Sequence, residues 1–518
     1  MRNSKGLYLL LITIVLAAYY IILGVYINKL GYYNQESLFY IEKSKIIVDG
    51  IGNRLKVMGL TSPLIPFYGT FLFTAINYAL APVIASALGM AMLFYIMAST
   101  MVKRINDDYY LLLLCVLFLF HPGLIYAACS GKSIYAVLIF FYLFFLNMLK
   151  FYNSNTTFHI SIASICFVML IFSDYKFIWL SLFFIPLILS ISIHTLNLSE
   201  RESIFRLFLS FNNPSLRRKL INKTFSIYMI IFILPLSSIM IYKMLNLTHA
   251  NDLNYFLESP YATWSVLTDK IDYSLYNQES NRYLSENSIL LSFKALLYCP
   301  LILVAIYLLR QYVYQILTIL TPFGLIEFLR VKYEKTSLPL QYFIIFMILA
   351  MLCIIYKATP IRKQLTFKLF LTLMIGVQLY TGYIFLKKST IAEEQNFMAT
   401  LLQKTPISTQ EESITMAGYL NSLGSSSQIL VDDAVAYPVV AYVNDIRNLT
   451  MPYQDNYLSA IESPNNYDDY MLIANEKNPV SGYTQLNNSY LQILKAQGHM
   501  LNFIKVYQTD HWALYRIR

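Results

Sequence analysis

The chain opens MRNSKGLYLLLITIVLAAYYIILGVYINKL (Met1–Leu30), a basic start followed by a run from Leu7 to Asn28 that carries no charge. A helix rises about 1.5 Å per residue, so a run of this length crosses a hydrocarbon core of about 30 Å. The run exceeds the apolar segment of a usual signal peptide and no small-residue cleavage site follows. It reads as a retained signal-anchor helix with a cytoplasmic N-terminus. Comparable runs recur along the first three quarters of the chain. With 57% hydrophobic and 13% charged residues and a mean hydropathy of +0.51, the 518 residues cannot clothe one water-soluble core in polar surface. Barrel strands would be about 10 residues long and alternating. The expected fold class is therefore a multi-pass α-helical membrane protein.

Eleven spans are expected, near 7–28, 82–102, 109–128, 132–150, 157–173, 176–196, 225–245, 289–309, 312–328, 337–356 and 365–386. Two basic loops orient them. Glu200–Thr224 carries six Lys and Arg against two acids, and Lys357–Lys368 carries four without an acid. Both are expected in the cytoplasm. Parity then puts the loops 29–61 and 246–288, and the chain from 387 onward, outside. Ser62–Pro82 is apolar enough to span, which would invert everything after it. Pro63 and Pro82 bracket it, so it is read as a re-entrant or interfacial helix. The expected membrane is a bacterial inner (plasma) membrane.

From about Glu393 the chain turns polar, and residues 389–518 read as a small extracytoplasmic α/β domain after a transmembrane part, 1–388. Its helices are expected in TQEESITMAGYLNSLG, AVAYPVVAYV and NSYLQILKAQG, and its strands in QILVDD, DYMLIAN, FIKVYQ and WALYRIR. Five cysteines without CxxC spacing read as packing residues. The net charge of +10 suits cytoplasmic loops on anionic lipid, and no basic, aromatic-rich domain points to nucleic acid.

In the first outer loop, Glu36 follows Asn34, a good N-cap, and so falls in the first turn of a short amphipathic surface helix. Free amides and the helix dipole favour its ionised form there. Such a carboxylate serves as a general base, as a metal ligand, or simply as a cap. The pentapeptide YNQES occurs at Tyr33–Ser37 and again at Tyr276–Ser280, but the flanks differ and the repeat is read as chance. Asp432, Asp433, Asp468, Asp469, His499 and His511 in the tail show neither metal-ligand spacing nor a triad. Glu258, Trp264 and Asp269 in the loop 246–288 are expected to shape an acceptor groove.

The order of these pieces resembles the GT-C superfamily of membrane glycosyltransferases, of the bacterial protein mannosyltransferase and lipid A aminoarabinose transferase type. The residues that carry the likeness are Gln35–Glu36 early in the first loop, FYIEKSKIIVDG ending at Gly50, and GLTSPLIPFYGTFLF (Gly59–Phe73). HPGLIYAACSGKSIYA from His121 and the closing DYMLIANEK and WALYRIR add to it. The family usually has Asp at the first dyad position, where this chain has Gln35. The resemblance implies a sugar donor linked through phosphate to a polyprenol and an envelope acceptor that is a lipid, glycan or protein. Glu36 would then be catalytic, and a divalent cation, Mg or Mn, is an open requirement with Glu36 its ligand if there is one. Arg54, Lys56, Arg330 and Lys332 would bind the donor phosphate, with Gln35, Asp174, Lys176 and Lys132 in secondary roles. For Lys132, snorkelling at the interface is the plainer reading, and for Asp174 a contact with Lys176. His121 reads as a satisfied helix-end residue. Two alternatives remain open: a polysaccharide polymerase or lipid-linked-sugar transporter, and a non-catalytic envelope assembly protein.

Overall fold

The computed structural model describes residues 2–105, 107–154, 156–195, 213–267, 290–310, 313–333, 338–357, 364–403, 410–424, 426–496 and 503–518, and within them the eleven apolar runs are largely helical. The first ten helices are α1 (Arg2–Lys29), α2 (Gln35–Asp49), α3 (Arg54–Leu60), α4 (Leu64–Phe71), α5 (Ala81–Arg104), α6 (Asp108–Phe120), α7 (Pro122–Cys129), α8 (Ile134–Ser154), α9 (Thr157–Ser173) and α10 (Leu180–Thr195). Later helices are named by their residues.

Among the described residues six helices are long and apolar enough to cross a membrane, or eight if each of two bent pairs is one span, against the eleven expected. The shortfall has physical causes. α9 and Gln341–Lys357 have 17 residues each, about 26 Å of helix. The second is buried from Tyr342 to Ile355, so its neighbours rather than lipid set its surroundings. Val313–Lys332 carries Pro322 within it and ends in Arg330 and Lys332. The expected basic loop 200–224 lies outside the described residues as far as 212; its end begins helix Pro214–Ala250, capped by Asn213.

Both bends sit at prolines, which lack the amide that would continue the ladder. α6 and α7 turn by 62° at His121–Pro122, and Leu291–Tyr298 and Leu301–Leu309 by 98° at Cys299–Pro300. One side chain joins the two breaks. Gln378 donates to the carbonyl of Tyr298 (2.9 Å) and lies 3.2 Å from His121 Nε2. His121 is thus only half satisfied: its Nδ1 has no partner.

Ser62–Pro82 does not form a spanning helix. α4 has eight residues, about 12 Å, and turns carry the chain from Leu72 to Leu80. α2 corrects a second expectation, because it is not a surface helix. Every residue from Glu36 to Ile46 is buried, charged ones included. The bundle covers one side of it and the C-terminal domain the other, so its pattern reports two interfaces rather than one apolar face and one wet face.

The C-terminal domain holds a five-stranded sheet in the order β2 (Leu449–Thr450), β1 (Ile429–Val431), β3 (Tyr470–Ala474), β5 (Trp512–Ile517), β4 (Phe503–Gln508). β1 runs parallel to β2 and β3, while β5 runs antiparallel to β3 and β4. Helices Glu411–Ser422, Asp433–Val440 and Gln485–Ala496 match the expected segments; β2 and helix Tyr457–Glu462 lie between AVAYPVVAYV and DYMLIAN, where neither was expected. Helix Ala392–Gln403 belongs with the bundle, since its Phe397 packs edge-on against Tyr32 and Tyr126. The domain is tied to α2 by Lys45, whose ammonium donates to the carbonyls of Ala441 (2.7 Å) and Val443 (2.6 Å), and by Phe39 against Tyr437. All five cysteines are free, four of them buried, in keeping with packing roles.

Candidate functional site

Asn34 sets up the site by capping α2. Its Oδ1 accepts from the Ser37 amide (2.8 Å) while its Nδ2 donates to the Ser130 carbonyl (2.5 Å), and the Ser37 hydroxyl donates to the Gly131 carbonyl (3.0 Å). The α2 N-terminus is thereby clamped to the turn between α7 and α8. Gly131 has φ +77°, and a Cβ there would stand 2.8 Å from Ser37 Oγ. Gly131→Ala is expected to cost roughly 1–3 kcal/mol of stability, read as a lower Tm of the purified protein.

Beyond the turn, the Ser133 amide (3.3 Å) and hydroxyl both donate to Glu36 Oε1. Lys132 reaches the other way, to Glu393 Oε2 at 2.9 Å, and passes over the Trp264 ring at 5.6 Å. Glu393 Oε1 accepts from the Gln35 amide (2.9 Å), and the Gln35 side-chain oxygen accepts from the Tyr437 hydroxyl (2.7 Å). Two carboxylates and one ammonium therefore meet where the first loop, the α7–α8 turn, helix Ala392–Gln403 and the C-terminal domain converge. Burial pushes the Glu36 carboxyl up to about 7; Lys132 and the Ser133 amide pull the other way, and Glu393 and Asp174 add to the rise. At neutral pH Glu36 is divided between acid and base, the condition in which one carboxyl can accept and return a proton.

The other expected residues divide into three places. Asp174 caps the 3-10 turn Tyr175–Trp179 and accepts from the Lys176 amide (3.0 Å), Gln341 (2.6 Å) and Tyr342 (2.5 Å). The contact expected between Asp174 and Lys176 is thus present through the Lys176 backbone amide. Lys332 lies over Trp179 at 3.2 Å and Lys176 over Tyr333 at 5.3 Å, while Arg330 is paired with Glu327 at 2.8 Å. Arg54 closes the end of α2 on the carbonyls of Ile47 (3.3 Å) and Val48 (3.0 Å), and Lys56 lines a separate cavity. Glu258 is exposed and bonded to Asn254; Asp269, His499 and the second YNQES copy lie outside the described residues.

Ser133 and Glu393 join the site without having been singled out. Glu393 begins a helix immediately after the last apolar run, and an acid pair in that place was a usable signal. A buried ion triad was also missed: Lys43 Nζ lies 2.6 Å from Asp433 Oδ2 and 3.3 Å from Glu42 Oε2, with all three side chains buried. Its signal was Glu-Lys inside the apolar stretch LFYIEKSKII.

Among the described residues, no three His, Cys, Asp or Glu side chains gather as a metal site would require. Glu36 shares its oxygen with Ser133 rather than with a second carboxylate. No family model matches the chain, and no curated protein matches it.

Proposed function

We propose that the chain is a GT-C-type glycosyltransferase of a bacterial inner membrane, with eleven spans, a cytoplasmic N-terminus and an extracytoplasmic C-terminal domain. It moves a sugar from a polyprenyl-phosphate donor to an envelope lipid, glycan or protein. The observation that carries this reading is Glu36, a buried carboxyl poised near 7 beside Lys132 at the meeting of bundle and domain. In the reaction, Glu36 takes the proton of the acceptor hydroxyl as its oxygen attacks the anomeric carbon. The bond from that carbon to the phosphate oxygen breaks, and polyprenyl phosphate leaves with the electron pair. Lys132, whose charge acts on Glu36, is the cation placed to meet the leaving phosphate. No step is assigned to a metal, because the donor set around Glu36 does not fit one.

The test is transfer of labelled sugar from a synthetic polyprenyl-phosphate donor into envelope material, using membranes with and without the chain. Label that enters only with the chain supports the reading; equal incorporation removes it. The second reading, a non-catalytic assembly protein with this fold, draws on Gln35, whose oxygen is committed to Tyr437 and so fastens the domain to the first loop.

A further inference from the structure

The end of α8 away from Ser133 gathers positive charge. α8 packs against α5, α9 and helix Gln341–Lys357, and each of them puts an end there. α5 closes in Lys103 and Arg104, α8 carries Lys150 about one turn from its own end, and α9 opens just before His159. The charges that act on Lys150 are those of Arg104 and Lys103, and the charge that acts on His159 is that of Lys150. The four groups thus lie within electrostatic reach as a chain. Lys103 and Lys150 make no ion pair with another described residue. Asp107, the nearest acid in sequence, is spent on Lys368. Arg104 lies over the Tyr356 ring at 3.4 Å, a contact that orients the guanidinium without neutralising it. His159 is half-buried, and its shielded Nδ1 has no hydrogen-bond partner.

Cations gathered without an acid repel one another, and an anion set among them turns that repulsion into attraction. The place selects the anion. α5 and α8 are long and apolar enough to cross a membrane, so their ends lie at the level of lipid headgroups. Beside His159, Phe158, Ser161 and Ile165 make an exposed stripe down α9 at helical spacing, where an acyl chain can lie. A soluble phosphate has no use for that stripe. Three fixed cations and a histidine also answer two negative charges better than one. We propose that Lys103, Arg104, Lys150 and His159 bind the headgroup of a lipid that carries two phosphates, of the cardiolipin type, with an acyl chain along Phe158 and Ile165. In the topology proposed above this is the cytoplasmic leaflet. The site lies about 25 Å along α8 from Ser133, and the binding does not rest on the transferase reading.

Native mass spectrometry of the delipidated full chain in detergent tests this, with cardiolipin, phosphatidylglycerol and phosphatidylethanolamine as probes and inorganic pyrophosphate as a soluble competitor. Cardiolipin is expected to bind at least tenfold more tightly than phosphatidylethanolamine, with phosphatidylglycerol between them. Arg104→Gln and Lys150→Gln should each weaken cardiolipin about fivefold, the worth of one cation beside an anionic lipid. Lys150→Arg should keep the affinity, and so should Arg218→Gln, which removes an exposed cation on the same side of the proposed topology. Equal affinity for the three lipids, unchanged cardiolipin binding in both Gln variants, or an equal loss in Arg218→Gln would overturn the proposal. Displacement of cardiolipin by equimolar pyrophosphate would overturn it as well, because the cluster would then be a site for soluble phosphates.

Discussion

Glu36→Gln is expected to lower sugar transfer by about 10²- to 10⁴-fold, the usual contribution of a general base. The substitution keeps an oxygen for Ser133 to donate to and removes only the capacity to take a proton. Wild-type transfer is expected to rise with pH through about 7 and then level off, and the variant's residual rate should be flat across the same range. Stability should move in the opposite direction. The folded chain holds the carboxyl above its ordinary 4.5, so it favours the protonated form. That contribution is full below about 4.5 and is lost as pH rises through about 7. A rise of this size corresponds to about 3 kcal/mol. The Glu36→Gln protein should therefore unfold at a higher Tm than wild type at pH 8, and at a similar Tm at pH 4.5. Full activity with an unchanged pH profile would remove Glu36 from the mechanism.

Lys43→Met is expected to destabilise the protein by about 3–5 kcal/mol, because it leaves Glu42 and Asp433 buried together with no counter-charge. Burial lowers the Lys43 pKa, but Asp433 and Glu42 more than offset this and hold it above the usual lysine range, so the ammonium stays charged. Because Asp433 belongs to the C-terminal domain and Lys43 to α2, the loss should fall on the junction between them. Limited proteolysis should release the C-terminal domain before the bundle unfolds. Adding Glu42→Gln and Asp433→Asn should recover much of the loss, since no uncompensated charge then remains. A Lys43→Met protein with wild-type Tm and proteolytic pattern would show that the triad is not what fastens the domain.

The sequence made the helices legible for a simple reason: a lipid-facing run such as Leu7–Asn28 must be apolar over its whole length, and that is a local property. The C-terminal sheet was legible for a similar reason, because DYMLIAN and WALYRIR are bounded by turn residues and pair as β3 and β5. β2 was not, since its two residues are strand only by lying beside β1. The surroundings of α2 were illegible because burial on two sides is set by segments almost 400 residues away, such as Tyr437 and Ala441. Glu36 could be named from a cap and its place in the first loop. Its partners could not, because Ser133 and Glu393 come to it only through the clamp between Asn34, Ser37 and the Ser130–Gly131 turn. The contacts of the basic residues were illegible for a related reason: charge signs and loop positions do not say which ring or carbonyl a long side chain will reach, as Arg54 and Lys332 demonstrate.

Native mass spectrometry of the gently solubilised chain addresses the central claim most directly. The account predicts a co-purifying polyprenyl phosphate or its sugar-bearing form, with the sugar mass naming the donor. A chain that retains no such lipid, even after synthetic polyprenyl-phosphate sugars are added, would contradict it.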